Sequence, residues 1–278
     1  MIPDEAVRAA NRARFARLVA RADVDIDLAG GALCIAADGR PDLDTEPTFE
    51  ALDRYAELIR LHLDLGDPSD VVLGTIHDVL YRDAGFRAPV AAEYHDERNS
   101  QLDHVMNRRV GLPISLAVVE LEIAWRLGLD LYGIGLPGHF IIGGPDGVLI
   151  DPAGGGRSLT PDDCQVLLRR ALGEGVLFHS GMLRPTGKRQ ILARILRNLR
   201  SVHLAQRDWP AALGIVDLLA VVEPTDPDHG RDRGLLLGRM GRFTEAVSLL
   251  NRYLDERPDG HDVPDVRQVI GIFAGRRN

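Results

Sequence analysis

Residues 107–152 read NRRVGLPISLAVVELEIAWRLGLDLYGIGLPGHFIIGGPDGVLIDP. Pro113 suits a helix start, because its missing N–H is one the first turn cannot use and its fixed φ matches the helix. From Ile114 to Leu127 nearly every residue is apolar; only Ser115, Glu120, Glu122 and Arg126 break the run. A helix that is apolar on most faces is a buried one. The spacing predicts a helix over 113–128, closed by Gly128. Glu122 and Arg126, four apart in the favourable order, are expected to pair on its one wet edge. The run is too short and too charged to span a bilayer.

Two strands are expected next, Gly138–Ile142 and Val148–Pro152, joined by the turn Gly143–Gly147. With that loop, Ile142 faces Val148, and the same register sets His139 across from Asp151 on one face of the ladder. A histidine oriented by an aspartate is the base half of a nucleophilic triad. The same pair also reads as a structural contact that closes the end of a hairpin, since polar pairs recur for purely structural reasons.

The remaining chain sets the frame. Its 278 residues carry 33 basic and 41 acidic side chains, a net charge of −8, with 45% hydrophobic and 27% charged residues. That is the composition of an ordinary globular protein, and the negative balance argues against a nucleic-acid partner, which calls for a basic stripe. No apolar run reaches membrane-spanning length, and the opening MIPDEAVRAANRARF lacks the plan of a signal peptide. Cys34 and Cys164 do not make a disulfide framework, so a cytoplasmic location is expected. Both cysteines sit in apolar surroundings and read as small core residues. Helices are expected over 3–22, 48–64, from Ser69 to about Ala84, over Leu102–Arg109 and from Pro161, capped by Thr160, to about Leu172. Residues 28–37, with Gly30 and Gly31, fit a short helix or a strand. His95 and Asp96 fall in a loop with nothing at ligand spacing to complete a metal site. Gly154–Gly156 is a flexible loop without the Lys-Ser/Thr of a phosphate cradle. Neither metal nor cofactor is expected.

From Lys188 onward the pattern is continuously helical and repeats itself. Trp209, Ala212, Leu213 and Pro224 recur as Phe243, Ala246, Val247 and Pro258, each pair 34 residues apart. This is the tetratricopeptide period. Two repeats and a last helix near Asp262–Phe273 are too few to stand alone, so the tail is expected to pack against the first part.

Tyr94, Asn99-Ser100, Leu102, the run Gly111-Leu112-Pro113-Ile114-Ser115-Leu116, Leu127-Gly128, Pro137-Gly138-His139-Phe140 and Asp151-Pro152 together resemble the SirB-type bacterial family, which joins a transglutaminase-like core to a tetratricopeptide tail. The resemblance covers nearly the whole chain. It implies an α+β fold, a papain- or transglutaminase-like core with a central buried helix on a small antiparallel sheet over residues 1–185. An all-α tetratricopeptide-like tail would follow over 186–278. Carried over by position, the family's catalytic His and Asp fall on His139 and Asp151, and the nucleophilic Cys falls on Pro113, which cannot attack. Three readings follow. The domain is a catalytically inactive fold that binds a protein or peptide, with Tyr94, Asn99 and Trp209 as candidate binding residues. Alternatively Ser115 replaces the cysteine as nucleophile of an amide hydrolase or acyl-transferase, although two residues along a helix turn a side chain by roughly 200° and a serine there more often caps the helix. Or Cys34 or Cys164 supplies the thiol.

Overall fold

The computed structural model describes residues 3–276; Met1, Ile2, Arg277 and Asn278, the ends of the two expected parts, lie outside the described residues. The first part opens with helices α1 (Pro3–Val19), α2 (Leu28–Gly39), α3 (Glu46–Arg60) and α4 (Ser69–His77), then α5 (Leu102–Arg108) and the central α6 (Pro113–Arg126). Four short strands follow: β1 (Tyr132–Ile134), β2 (Ile141–Gly143), β3 (Leu149–Asp151) and β4 (Arg157–Ser158), forming one antiparallel sheet in that order. Helix α7 (Pro161–Leu172) comes next, and the chain finishes in α8 (Lys188–Gln206), α9 (Trp209–Val222), α10 (Asp228–Arg239), α11 (Phe243–Glu256) and α12 (Val263–Ala274). The architecture is thus a mostly helical α+β unit with a small sheet, followed by helices alone.

Segment 28–37, which the sequence left open between helix and strand, is helical. Asp27 caps it by accepting from the Gly30 N–H at 2.8 Å. The glycines serve packing: a Cβ on residue 31 would lie 2.7 Å from a methyl of Leu192 on α8. That close approach outweighs the low helix propensity of glycine. Helix α4 runs into a π-helical turn at Asp78–Asp83, a wider winding that is often found at functional sites.

Helix α6 is the centre of the main core. Ile114, Leu116, Ala117, Val118, Val119, Leu121, Ile123 and Ala124 are all buried among side chains of α2, α3, α5, β2 and α8. Burying each larger apolar side chain contributes about 1.5–3 kcal/mol relative to exposure. The expected wet edge is a correction. Glu122 does pair with Arg126 (2.6 Å), but it is itself buried and also accepts from the Ala29 N–H at 2.9 Å, which ties α6 to α2. Glu120 is buried completely.

The hairpin register is a second correction. Ile142 pairs with Ile150 and Gly143 with Leu149, two residues on from the expected match. Val148 belongs to the loop: Gly144 donates to its carbonyl at 3.0 Å, around a turn in which Asp146 (φ 56°) and Gly147 (φ 77°) are left-handed. Because side chains alternate with period two, a shift of two leaves every residue on its expected face.

In the tail, Trp209 opens α9 and Phe243 opens α11, and the repeated Ala212 and Ala246 are both fully buried. Helices α8 and α9 pair, as do α10 and α11, and α12 covers the end. Ile191, Leu192, Ile195 and Leu196 of α8 share the core of α6, so the tail packs on the first part.

Candidate functional site

His139 lies just before β2, in a turn made by its neighbours. Gly138 is left-handed (φ 71°), and a Cβ there would sit 2.3 Å from the Ala171 Cβ of α7, so both backbone shape and space demand glycine. The His139 N–H donates to the Leu136 carbonyl (3.1 Å). Arg194 of α8 donates to the carbonyls of Leu136 (2.9 Å) and His139 (2.8 Å), with its guanidinium over the Phe140 ring. Burial lowers the pKa of Arg194 from the ordinary arginine value. A tail helix thus holds the turn that aims the histidine.

The imidazole Nε2 lies 2.8 Å from Oδ1 of Asp151, at the end of β3. Asp151 is only 5% exposed. The loop after it is packed rather than loose: Gly156 donates to the Asp151 carbonyl (3.0 Å), and a Cβ on Gly154 would press on the Asp151 carboxylate at 2.8 Å. The His–Asp pair expected from the sequence therefore forms, by side-chain reach across the loop rather than as directly opposed strand residues.

The imidazole faces two cavities. One is lined by Tyr94, Pro113, Phe140, Arg194 and Asn198; the other by Gly154, Arg157, Asp163, Val166 and Arg170. Pro113 is thus beside His139 at the start of α6, where no side chain caps the helix. Ser115 is buried, and its Oγ has no hydrogen-bond partner among the described residues. Cys34 lies inside α2 and Cys164 inside α7, both buried and reduced; burial pushes both thiols up, away from the thiolate. Neither sulfur is hydrogen-bonded to His139. A buried hydroxyl without a partner is a net penalty. Ser115→Ala is expected to stabilise the fold by about 1 kcal/mol in urea denaturation; a loss of that size instead would mean that the hydroxyl has a partner worth keeping.

The three binding candidates separate. Tyr94 is half exposed at the mouth of the Pro113 cavity. Asn99 is fully buried. Its Nδ2 donates to the Glu93 carbonyl (2.6 Å), its Oδ1 accepts from Arg108 (3.2 Å), and its backbone carbonyl accepts from Leu112 N–H (2.9 Å), so it fixes the approach to α6. Trp209 lines a different cavity, a groove in the tail shared with Arg200, Leu204, Arg231, Arg239 and Phe273.

A second polar cluster stands behind Asp151 and escaped the sequence reading. Glu120 of α6 accepts from the Tyr81 hydroxyl and meets Nε2 of His77 at 2.9 Å. His77 ends α4 and Tyr81 lies in the π-helical turn. Burial, then the Glu120 charge, hold the Tyr81 hydroxyl well above its ordinary pKa, and Asp151 adds to this. Gly156 lies against His77 and Tyr81, so one glycine loop spans both clusters. The available signal was Glu120 as one of two acidic residues in the largely apolar run of α6.

With this geometry in hand, comparison with known proteins gives a consistent picture. Residues 46–197, more than half of the chain, match the family model described as transglutaminase-like superfamily, and residues 199–271 match a tetratricopeptide repeat. A UPF0162 protein of Xylella fastidiosa strain 9a5c is 37% identical over 261 residues, which cover 92% of each chain. The UPF0162 protein YchA of Escherichia coli K12 is 26% identical over 84% of this chain and 88% of its own length. That of Haemophilus influenzae is 24% identical over 88% and 91%. No solved structure matches the chain significantly. None of the described helices is long and apolar enough to cross a membrane.

Proposed function

From the premise that the chain belongs to the UPF0162 family, with its transglutaminase-like domain and tetratricopeptide tail, we propose that it is a catalytically inactive member of that superfamily that holds a protein or peptide partner. The first part, residues 1–185, offers the cleft at His139, and the tail, 186–278, offers the groove at Trp209. It acts in the cytoplasm. The observation that carries this reading is Pro113. The residue at the head of the central helix borders the same cavity as His139 and has no atom able to attack a carbonyl. A histidine and an aspartate without a nucleophile can orient and donate hydrogen bonds, but they cannot form an acyl-enzyme. Tyr94 and Arg194 around the imidazole give the cleft an aromatic edge and a half-buried cation, groups that suit peptide recognition.

The test has two arms. Ammonia release from a glutamine-containing protein with an amine donor, and hydrolysis of peptide anilides, are expected to be no faster with wild type than with His139→Ala. Turnover that depends on His139 overturns the inactive reading, and its loss in Ser115→Ala would assign the nucleophile. For binding, a photo-crosslinking residue at position 94 is expected to capture a discrete partner. Arg239→Glu in the tail groove should weaken that capture, because Arg239 makes no ion pair among the described residues and is free to meet an acidic group.

A further inference from the structure

The turn between α9 and α10 carries Glu223 and Asp226, and the first turn of α10 carries His229, the three spaced by three residues. Such a spacing matches no common metal motif, and the sequence alone gave no reason to group them. Folding brings one ligand atom from each within 4.8 Å of the others. His229 Nε2 lies 3.4 Å from Glu223 Oε2 and 3.9 Å from Asp226 Oδ2.

The histidine is what distinguishes this cluster from ordinary surface acids. His229 is only 5% exposed, and neither of its ring nitrogens has a hydrogen-bond partner among the described residues. Nε2 faces two carboxylates without making a hydrogen bond to either. Buried polar groups are normally satisfied, and each exception calls for a reason. A cation between the three groups supplies one. Zinc bonds of about 2.0–2.1 Å to nitrogen and oxygen set ligand atoms roughly 3.3 Å apart; the His229–Glu223 pair already has that spacing at 3.4 Å, and Asp226 closes in from 3.9 Å. Glu223 is also held in place: Arg197 of α8 donates to both of its oxygens, at 2.6 and 2.7 Å. Outer partners of this kind orient metal-bound carboxylates. Glu223 and Asp226 also line an open cavity with Pro185 and Gln190, so the two carboxylates can be reached from solvent.

We propose that Glu223, Asp226 and His229 form a site for a divalent cation of the zinc type, with one imidazole and two carboxylate ligands. Bound there, the ion clamps the turn that joins the two helical hairpins of the tail. One nitrogen with two oxygens favours zinc or a neighbouring transition ion over calcium, which takes six or more oxygens.

The experiment uses the full-length chain without an affinity tag, stripped with chelator and titrated with zinc chloride by calorimetry. One zinc per chain is expected, and zinc at a hundredfold excess over its dissociation constant should raise the thermal midpoint by about 5 °C. Asp226→Asn and Glu223→Gln alter partly exposed positions and keep the fold intact. Each is expected to weaken binding about tenfold or more. His229→Gln should abolish it; circular dichroism without zinc separates lost binding from lost folding, and the two carboxylate variants decide the matter if His229→Gln does not fold. Absence of saturable binding below about 1 mM zinc, equal binding by Asp226→Asn and wild type, or tighter binding of calcium than of zinc each overturns the proposal.

Discussion

A Pro113→Cys variant is expected to carry a thiol that ionises below about 7.5, where an unperturbed cysteine ionises near about 8.5. The residue would sit at the first position of α6, at a helix end that no side chain caps. The free N–H groups and the dipole there favour a negative charge. His139, already bonded to Asp151 at 2.8 Å, borders the same cavity and would stabilise the thiolate as an imidazolium. The measurement is clean because Cys34 and Cys164 are both buried and their thiols are pushed up by burial, so wild type gives a low background. The rate of iodoacetamide labelling followed against pH gives the midpoint directly. In Pro113→Cys combined with His139→Ala the midpoint should climb back toward the ordinary value. A midpoint at or above about 8.5 in the single variant would mean that position 113 does not face the imidazole, and the account of a triad lacking only its nucleophile would fall.

Glu120→Ala should cost about 3–5 kcal/mol, a large share of the about 5–15 kcal/mol that holds a typical fold together. The carboxylate is wholly buried and is the shared acceptor for Tyr81 and His77. Truncation strands both partners and opens a cavity against α6. Glu120→Gln keeps the shape and should cost less. Guanidinium unfolding measures both, and a cost under about 1 kcal/mol for the alanine variant would remove Glu120 from the list of structural determinants. The same cluster sets a pH dependence. Burial and Glu120 hold Tyr81 protonated in the folded chain to a higher pH than in the unfolded chain. The unfolded tyrosine releases its proton near about pH 10, so the contribution is complete below that value. It is lost as pH rises from there toward the folded pKa. Tyr81→Phe should flatten the alkaline decline relative to wild type, whereas an unchanged slope would show that Tyr81 is not its source.

Local signals in the chain were enough for the larger plan. Pro113 followed by an apolar run specified the central helix, because a proline start and all-round hydrophobicity leave few other solutions. The 34-residue recurrence of Trp209, Ala212 and Pro224 specified the repeats, since stacking units must reuse the same small and bulky positions. The alternation around Gly143–Gly147 was enough to bring His139 and Asp151 together, even though the loop took in Val148 and moved the register by two. Other features had no local signature. Glu120 reads as a break in a hydrophobic pattern until His77 and Tyr81, about forty residues away, are folded onto it. Arg194, in the tail, gives no hint that it holds the turn bearing His139. The carboxylates of the α9–α10 turn and the imidazole at the start of α10 lie close in sequence, yet only packing shuts His229 away from water and leaves its nitrogens without partners among the described residues. Propensity and periodicity act over a few residues and can be read along the chain. Desolvation and the pairing of distant polar groups depend on which surfaces meet, and that was decided by the tertiary structure alone.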